Sequence, residues 1–93
     1  MSTAMRWDAR LVKPLSGYRI YVELENGDSG IFDVKPYLEK GVLRELRDER
    51  YFSQVGIQYG AVTWPHEQDI DPETLLAGLK AGKPEDDEAE RKP

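Results

Sequence analysis

A run of strict alternation constrains this chain more than any other feature. Tyr18, Ile20, Val22 and Leu24 alternate with Arg19, Tyr21, Glu23 and Glu25, so a strand here would bury one set and expose the other. Asn26-Gly27 follows at once, and because both residues tolerate positive φ the pair is a strong hairpin signal. The return strand runs through Gly30, Ile31, Phe32, Asp33 and Val34. Its register follows from side-chain parity, since directly opposed residues share a face. A two-residue loop at Asn26-Gly27 would set Asp33 beside Ile20, and burying an unpaired carboxylate costs several kcal/mol. A three-residue loop, Glu25-Asn26-Gly27 with Gly27 left-handed, instead aligns Phe32 with Ile20 and Val34 with Tyr18. The three-residue loop is expected.

Upstream, Trp7, Ala9 and Leu11 alternate with Asp8, Arg10 and Val12, which suits a half-buried strand that Pro14 and Ser16-Gly17 should end. Downstream, Pro36 fits a first helical turn and Gly41 a stop. Val42, Leu43 and Leu46 then give one-sided apolar spacing, so the centre reads as two short helical turns. Val55, Ile57 and Tyr59 alternate with Gly56 and Gln58, and Val62 and Trp64 alternate on the return. A turn at Tyr59-Gly60 or at Gly60-Ala61 leaves the same side chains inward. Ile70-Asp71-Pro72-Glu73-Thr74-Leu75 is a helix start. Asp71 caps the exposed backbone N–H groups and Pro72 sits where its missing donor is harmless. Ile70 and Leu75 are placed for a hydrophobic staple. Leu75, Leu76 and Leu79 form the expected buried stripe, and Gly82 the stop.

The fold class is therefore α+β: a small, mainly antiparallel sheet of two hairpins plus an N-terminal strand, short central helical turns and a C-terminal helix. Residues 1–82 are expected to form a single domain. Residues 83–93 hold Pro, Glu, Asp, Lys and Arg with a single Ala, too little apolar surface to offset ordering entropy, so a disordered acidic tail is expected.

Composition narrows the functions open to such a domain. The 93 residues contain no cysteine, which excludes a disulfide framework, a thiolate metal site and a cysteine nucleophile. With no secretion signal and no apolar window near the roughly 20 residues that span a bilayer, the expected location is the cytoplasm, with no membrane partner. The formal net charge is −5. Residues 83–93 carry three basic and five acidic side chains (−2), leaving ten basic and thirteen acidic elsewhere (−3). Neither part offers the positive field that attracts a phosphate backbone, so nucleic-acid binding by this chain alone is not expected.

Candidate chemistry concentrates in the loop Trp64-Pro65-His66-Glu67-Gln68-Asp69-Ile70-Asp71, which holds the lone histidine. Imidazole and carboxylates could build an ion or acid–base site on His66, Asp69 and Asp71. One imidazole without a thiol is a poor start for zinc, however, and the spacing fits no calcium loop. The plainer reading makes Asp71 with Pro72 a helix cap, Asp69 a loop brace and His66 a surface side chain. Ser16, Ser29 and Ser53 lack a nucleophile elbow, and no Gly-rich phosphate loop is present. No catalytic residue, metal or cofactor is expected. Arg44, Arg47 and Arg50 alternate with acids in a run that reads as a solvated, internally paired surface. Tyr21 on the outer sheet face, with Trp7 or Trp64 if exposed, would mark an interface.

The chain resembles a small bacterial family, domain of unknown function 2442. The resemblance rests on Glu25-Asn26-Gly27-Asp28, on Phe32-Asp33-Val34-Lys35-Pro36-Tyr37-Leu38, on Leu46-Arg47-Asp48 with Phe52, and on Trp64-Pro65 through Asp69-Ile70-Asp71-Pro72-Glu73-Thr74-Leu75. It covers about residues 6–80. Many relatives carry Asn-Gly after the tryptophan–proline pair, where this chain has His66-Glu67. The resemblance implies an α+β domain of unassigned activity, sometimes joined to a DNA-binding helical domain or encoded beside small toxin-like proteins.

Three functions follow as expectations. The leading one is a non-enzymatic protein-interaction or regulatory module, antitoxin-like, whose partner is another protein; a monomer or weak homodimer would suit its open strand edges. The second is a metal- or small-ligand-binding enzyme using the His66, Asp69 and Asp71 loop. The third is a nucleic-acid-associated regulator.

Overall fold

A computed structural model of the chain describes residues 8–80. Residues 1–7 and 81–82 of the expected domain, Trp7 and Gly82 among them, and the expected tail 83–93 lie outside the described residues. The two hairpins form separate three-stranded antiparallel sheets. The first comprises β1 (Ala9–Leu15), β2 (Arg19–Leu24) and β3 (Ser29–Asp33); the second comprises β4 (Gly56–Gln58), β5 (Ala61–Thr63) and β6 (Asp69–Ile70). Between them lie 3-10 turns at Lys35–Tyr37 and Gly41–Arg47 and a single turn, α1 (Glu49–Phe52). The C-terminal helix, α2, is Pro72–Gly78. The α+β class holds.

The first hairpin has the register that side-chain parity demands. Ile20 opposes Phe32, and the Val34 N–H donates to the Tyr18 carbonyl at 2.9 Å. The Leu24 N–H donates to the Asp28 carbonyl at 2.8 Å, closing a loop of Glu25, Asn26 and Gly27. Gly27 has φ +96°, a conformation open to glycine at no steric cost. Asp33 stays exposed, and its carboxylate accepts from the Lys35 N–H at 2.9 Å. The second hairpin turns at Tyr59-Gly60: Gln58 opposes Ala61 and Ile57 opposes Val62. Tyr59 and Gly60 both have positive φ, 54° and 79°, as the twist of a two-residue hairpin requires.

The first strand departs from the expected alternation. Ala9 opposes Leu24 but Leu11 opposes Glu23, so a β-bulge absorbs Arg10 and reverses parity beyond it. Ala9 and Val12 face the core, and Leu11 faces away. Pro14 does not end the strand; it pairs with Ile20 inside it. That is tolerable because β1 is an edge strand and no ladder donor is missed.

One core joins both sheets. Ile20, Val22, Leu24, Phe32, Val34, Leu46, Phe52, Val62, Trp64, Ile70 and Leu75 are all buried within it. Aromatic contacts run through α1: Tyr18 meets Phe52 edge-on at 5.5 Å, and Phe52 meets Trp64 at 5.8 Å. The Ala9 N–H donates to the Gly60 carbonyl at 2.8 Å, tying β1 to the second hairpin's turn.

The C-terminal helix starts as its sequence demands and ends sooner. Asp71 is the N-cap and Pro72 opens the helix. Ile70 and Leu75 are both buried in the core, but Leu76 of the expected stripe is 45% exposed. The helix stops at Gly78 because the chain turns extended at Leu79. Lys80 then pairs antiparallel with Ile31 on the edge of β3. Gly78 lies so close to Phe32 that a Cβ there would stand 2.6 Å from the ring.

Candidate functional site

The polar loop between Trp64 and Asp71 is a hairpin loop of the same construction as the first. Trp64 donates its N–H to the Gln68 carbonyl at 2.9 Å, and Glu67 donates its N–H to the Trp64 carbonyl at 3.0 Å. Pro65, His66 and Glu67 thus form a three-residue loop, with Glu67 left-handed at φ +73°. This is the position of Gly27 in the first hairpin. Two short strands result, β5 and β6, with Thr63 opposite Asp69 and Val62 opposite Ile70. A two-residue strand carries no periodicity, so β6 left no trace in the sequence.

Inside this loop sits a buried polar network centred on Gln68, which is 2% exposed. Its Oε1 accepts from the Tyr51 hydroxyl at 2.6 Å. Its Nε2 donates to Glu45 Oε1 at 2.8 Å and to the Val42 carbonyl at 3.2 Å. The Tyr51 hydroxyl in turn accepts from the His66 N–H at 2.7 Å. Glu45 Oε2 lies 2.7 Å from His66 Nδ1, and the Tyr51 and His66 rings stand 5.1 Å apart. Both carboxylate oxygens of Glu45 are therefore engaged with the loop. The expected pairing of this acid within its own arginine run is replaced by a link across the molecule.

The expected ligand residues do not converge. His66 turns to Glu45, Asp69 is exposed on β6, and Asp71 faces its own helix. The Asp71 carboxylate accepts from the Thr74 N–H at 2.8 Å and from the Thr74 hydroxyl at 2.9 Å. Those bonds, the backbone one foremost, hold its pKa below the usual carboxylate value. Among the described residues, no group of three or more His, Asp or Glu side chains is placed to hold a metal ion.

Other expected interface residues divide. Arg44, Arg47 and Arg50 are exposed, with Asp48 in the same run capping α1 through the Arg50 N–H at 3.0 Å. Tyr21 and Trp64 are corrections, because both are buried, at 8% and 2% exposed. Trp64 completes the core and donates its indole N–H to the Phe52 carbonyl at 2.9 Å. Tyr21 is flanked by Lys13 and Ile31 across the sheet and donates its hydroxyl to Glu23 Oε2 at 2.9 Å. Pro65 is exposed at the loop.

The structure adds an open cleft of about 170 Å³ that no local pattern announces. Phe32, Tyr37, Leu43 and Ile70 supply apolar lining, and Asp69 and Thr74 supply polar lining. Its residues come from four separate stretches of chain, so only the tertiary fold assembles it. Val42, next to the lining Leu43, is 72% exposed.

The family model described as "Protein of unknown function (DUF2442)" matches residues 9–81. The chain belongs to this family. The DUF2442 match spans both sheets, the Gln68 network and the cleft. No curated protein and no solved structure matches the chain. Among the described residues, no helix is long and apolar enough to cross a membrane.

Proposed function

We propose that this chain is a non-enzymatic protein-interaction module, the regulatory or antitoxin-like partner of another protein, and that it docks through the cleft and the adjoining Val42. One observation carries the reading. The polar groups on which chemistry would depend are engaged within the fold, while an apolar cleft and a large aliphatic side chain stay open. His66 is held by Glu45, Gln68 by Tyr51 and Glu45, and Asp71 by Thr74. Phe32, Tyr37, Leu43 and Ile70, by contrast, line an accessible hollow.

Apolar surface beside an exposed aliphatic residue is what association surfaces use at their centre. The acidic rim at Asp69 and the overall charge of −5 favour a partner segment with basic and apolar side chains, since charge complementarity speeds encounter and rejects wrong partners.

The test uses Val42→Glu, a change at a side chain already 72% exposed, which leaves the core intact. Wild-type and variant chains are purified from cells of the native host. The expected result is a stoichiometric protein partner with the wild type and its loss with Val42→Glu at unchanged circular dichroism. Recovery of no stoichiometric partner by the wild type would refute the reading.

A further inference from the structure

The outer face of the second sheet is open, and one large side chain on it contributes nothing to the core. Val62 and Ile70 point into the core, so Ala61, Thr63 and Asp69, their neighbours along the strands, face the other way. With Gln58, Tyr59 and Glu67 they line an open hollow of about 320 Å³. Tyr59 is 95% exposed, and Gln58, Glu67 and Asp69 are exposed beside it. The Tyr59 backbone is left-handed, φ 54°, a conformation that costs a bulky L-residue stability. Asparagine before Gly60 would suit such a turn better. A fully exposed ring at a strained position buries nothing, so the folded state gives no reason for it. A bound partner does.

The charge on this face has one sign. The chain holds 13 lysines and arginines, yet none lies between Arg50 and Lys80, a stretch that carries Glu67, Asp69, Asp71 and Glu73. Asp71 is engaged with Thr74. Among the described residues, the carboxylates of Glu67 and Asp69 have no ion-pair or hydrogen-bond partner, and no lysine or arginine lines the hollow. An occupant should therefore carry positive charge. Arginine fits better than lysine, because its planar guanidinium both stacks on an aromatic ring and bonds a carboxylate through a fork of N–H groups.

Asp69 lines both this hollow and the cleft, so the two surfaces adjoin. Ala61, next to the Tyr59-Gly60 turn, and Thr63, opposite Asp69, lie about 7 Å apart along the strand. Alternate side chains of an extended segment repeat at the same interval. We infer that the outer face of the second sheet docks an extended segment of the protein partner with arginines two positions apart, one guanidinium on the Tyr59 ring and the other at Glu67 and Asp69. That the occupant belongs to a protein rests on the function proposed above; the preference of the face for arginine does not.

The probe is the peptide acetyl-Gly-Arg-Gly-Arg-Gly-amide, titrated into the full-length protein and followed by backbone amide chemical shifts. The largest changes are expected at Gln58, Tyr59, Thr63 and Glu67, with little at Lys13 and Ile31 in the first sheet. Tyr59→Asn should raise the Kd about two- to five-fold while leaving the melting temperature unchanged or higher, since Asn-Gly favours the turn. Asp69→Asn should raise the Kd similarly, whereas Glu49→Gln, which removes the same charge from an exposed position on α1, should not. The lysine analogue of the peptide should bind more weakly.

No shift at the outer-face amides would overturn the inference, as would indifference to Tyr59→Asn and Asp69→Asn or equal affinity for the lysine peptide. A lower melting temperature for Tyr59→Asn would give the ring a structural role and overturn it too. The same shifts on raising the protein concentration without peptide would assign the face to a second copy, with the same consequence. The cleft is tested separately: failure of Val42→Glu to release a partner counts against the cleft alone, and a peptide indifferent to Tyr59 counts against this face alone.

Discussion

Replacing Gln68 by leucine probes the network that organises this domain. The side chain is 2% exposed, and leucine is close to it in volume, so the cavity term stays small. What changes is hydrogen bonding. The Tyr51 hydroxyl loses its acceptor at 2.6 Å, and the Val42 carbonyl loses a donor at 3.2 Å. A buried polar group left without its partner costs about 1–3 kcal/mol. Tyr51 is 8% exposed and keeps only the bond it accepts from the His66 N–H, so its unpaired O–H donor bears most of that penalty. Glu45 also loses a donor, but its side chain is 43% exposed, and water replaces the bond at little cost. Together the substitution should destabilise the fold by roughly 2–4 kcal/mol.

For a domain of this size that is a lowering of the melting temperature by roughly 10–30 °C, at about 4–8 °C per kcal/mol. Urea and thermal unfolding followed by tryptophan fluorescence measure it directly, because the Trp64 indole bonds to α1 beside the network. Tyr51→Phe closes a double-mutant cycle, and a coupling of about 1 kcal/mol or more should appear between positions in direct contact. A melting temperature within about 3 °C of wild type, or a strictly additive cycle, would refute the claim that this network holds the molecule together.

Two further outcomes rest on local geometry. Glu67→Gly removes a non-glycine residue from a left-handed conformation, φ +73°. Relief of about 1–2 kcal/mol exceeds the added entropy of glycine, so chemical denaturation should show a net gain of roughly 0.5–1 kcal/mol. Asp71 has a depressed carboxyl pKa through its bonds to Thr74. Its contribution is fully present above the ordinary carboxylate pKa and is lost as pH falls through the lowered folded value. Stability measured against pH should therefore decline less steeply on the acid side for Asp71→Asn than for wild type.

The parts of this fold legible in the sequence are those where one physical constraint acts over neighbouring residues. Asp33 could not be buried unpaired, and that alone selected the three-residue loop and set Phe32 against Ile20. Asp71-Pro72 fixed the start of α2 through capping and a missing donor. Other features escaped because their cause is distant or adds no pattern. The bulge at Arg10 shifts parity by one without changing composition. Tyr21 alternates as a surface residue, yet it is buried. Gln68 resembles any polar loop residue until Glu45, 23 positions earlier, is brought against it. The cleft draws on residues from Phe32 to Thr74, a span no local signal covers.

The Gln68 network also explains how the centre of the chain is held in place. The 3-10 segment Gly41–Arg47 buries only Leu46, too little apolar surface to fix a turn of this poor hydrogen-bond geometry. Polar links supply the rest: Gln68 to the Val42 carbonyl and Glu45, His66 to Glu45, and the Tyr18 hydroxyl to the Arg47 carbonyl. The second sheet therefore sets the position of Val42 and Leu43, the residues that flank and line the cleft. The loop that holds His66 would thus act on the proposed docking indirectly, by fixing the surface next to it. A change at Gln68 should accordingly alter the proposed docking surface while leaving the Asp71 cap and the Ile31–Lys80 bridge as they are.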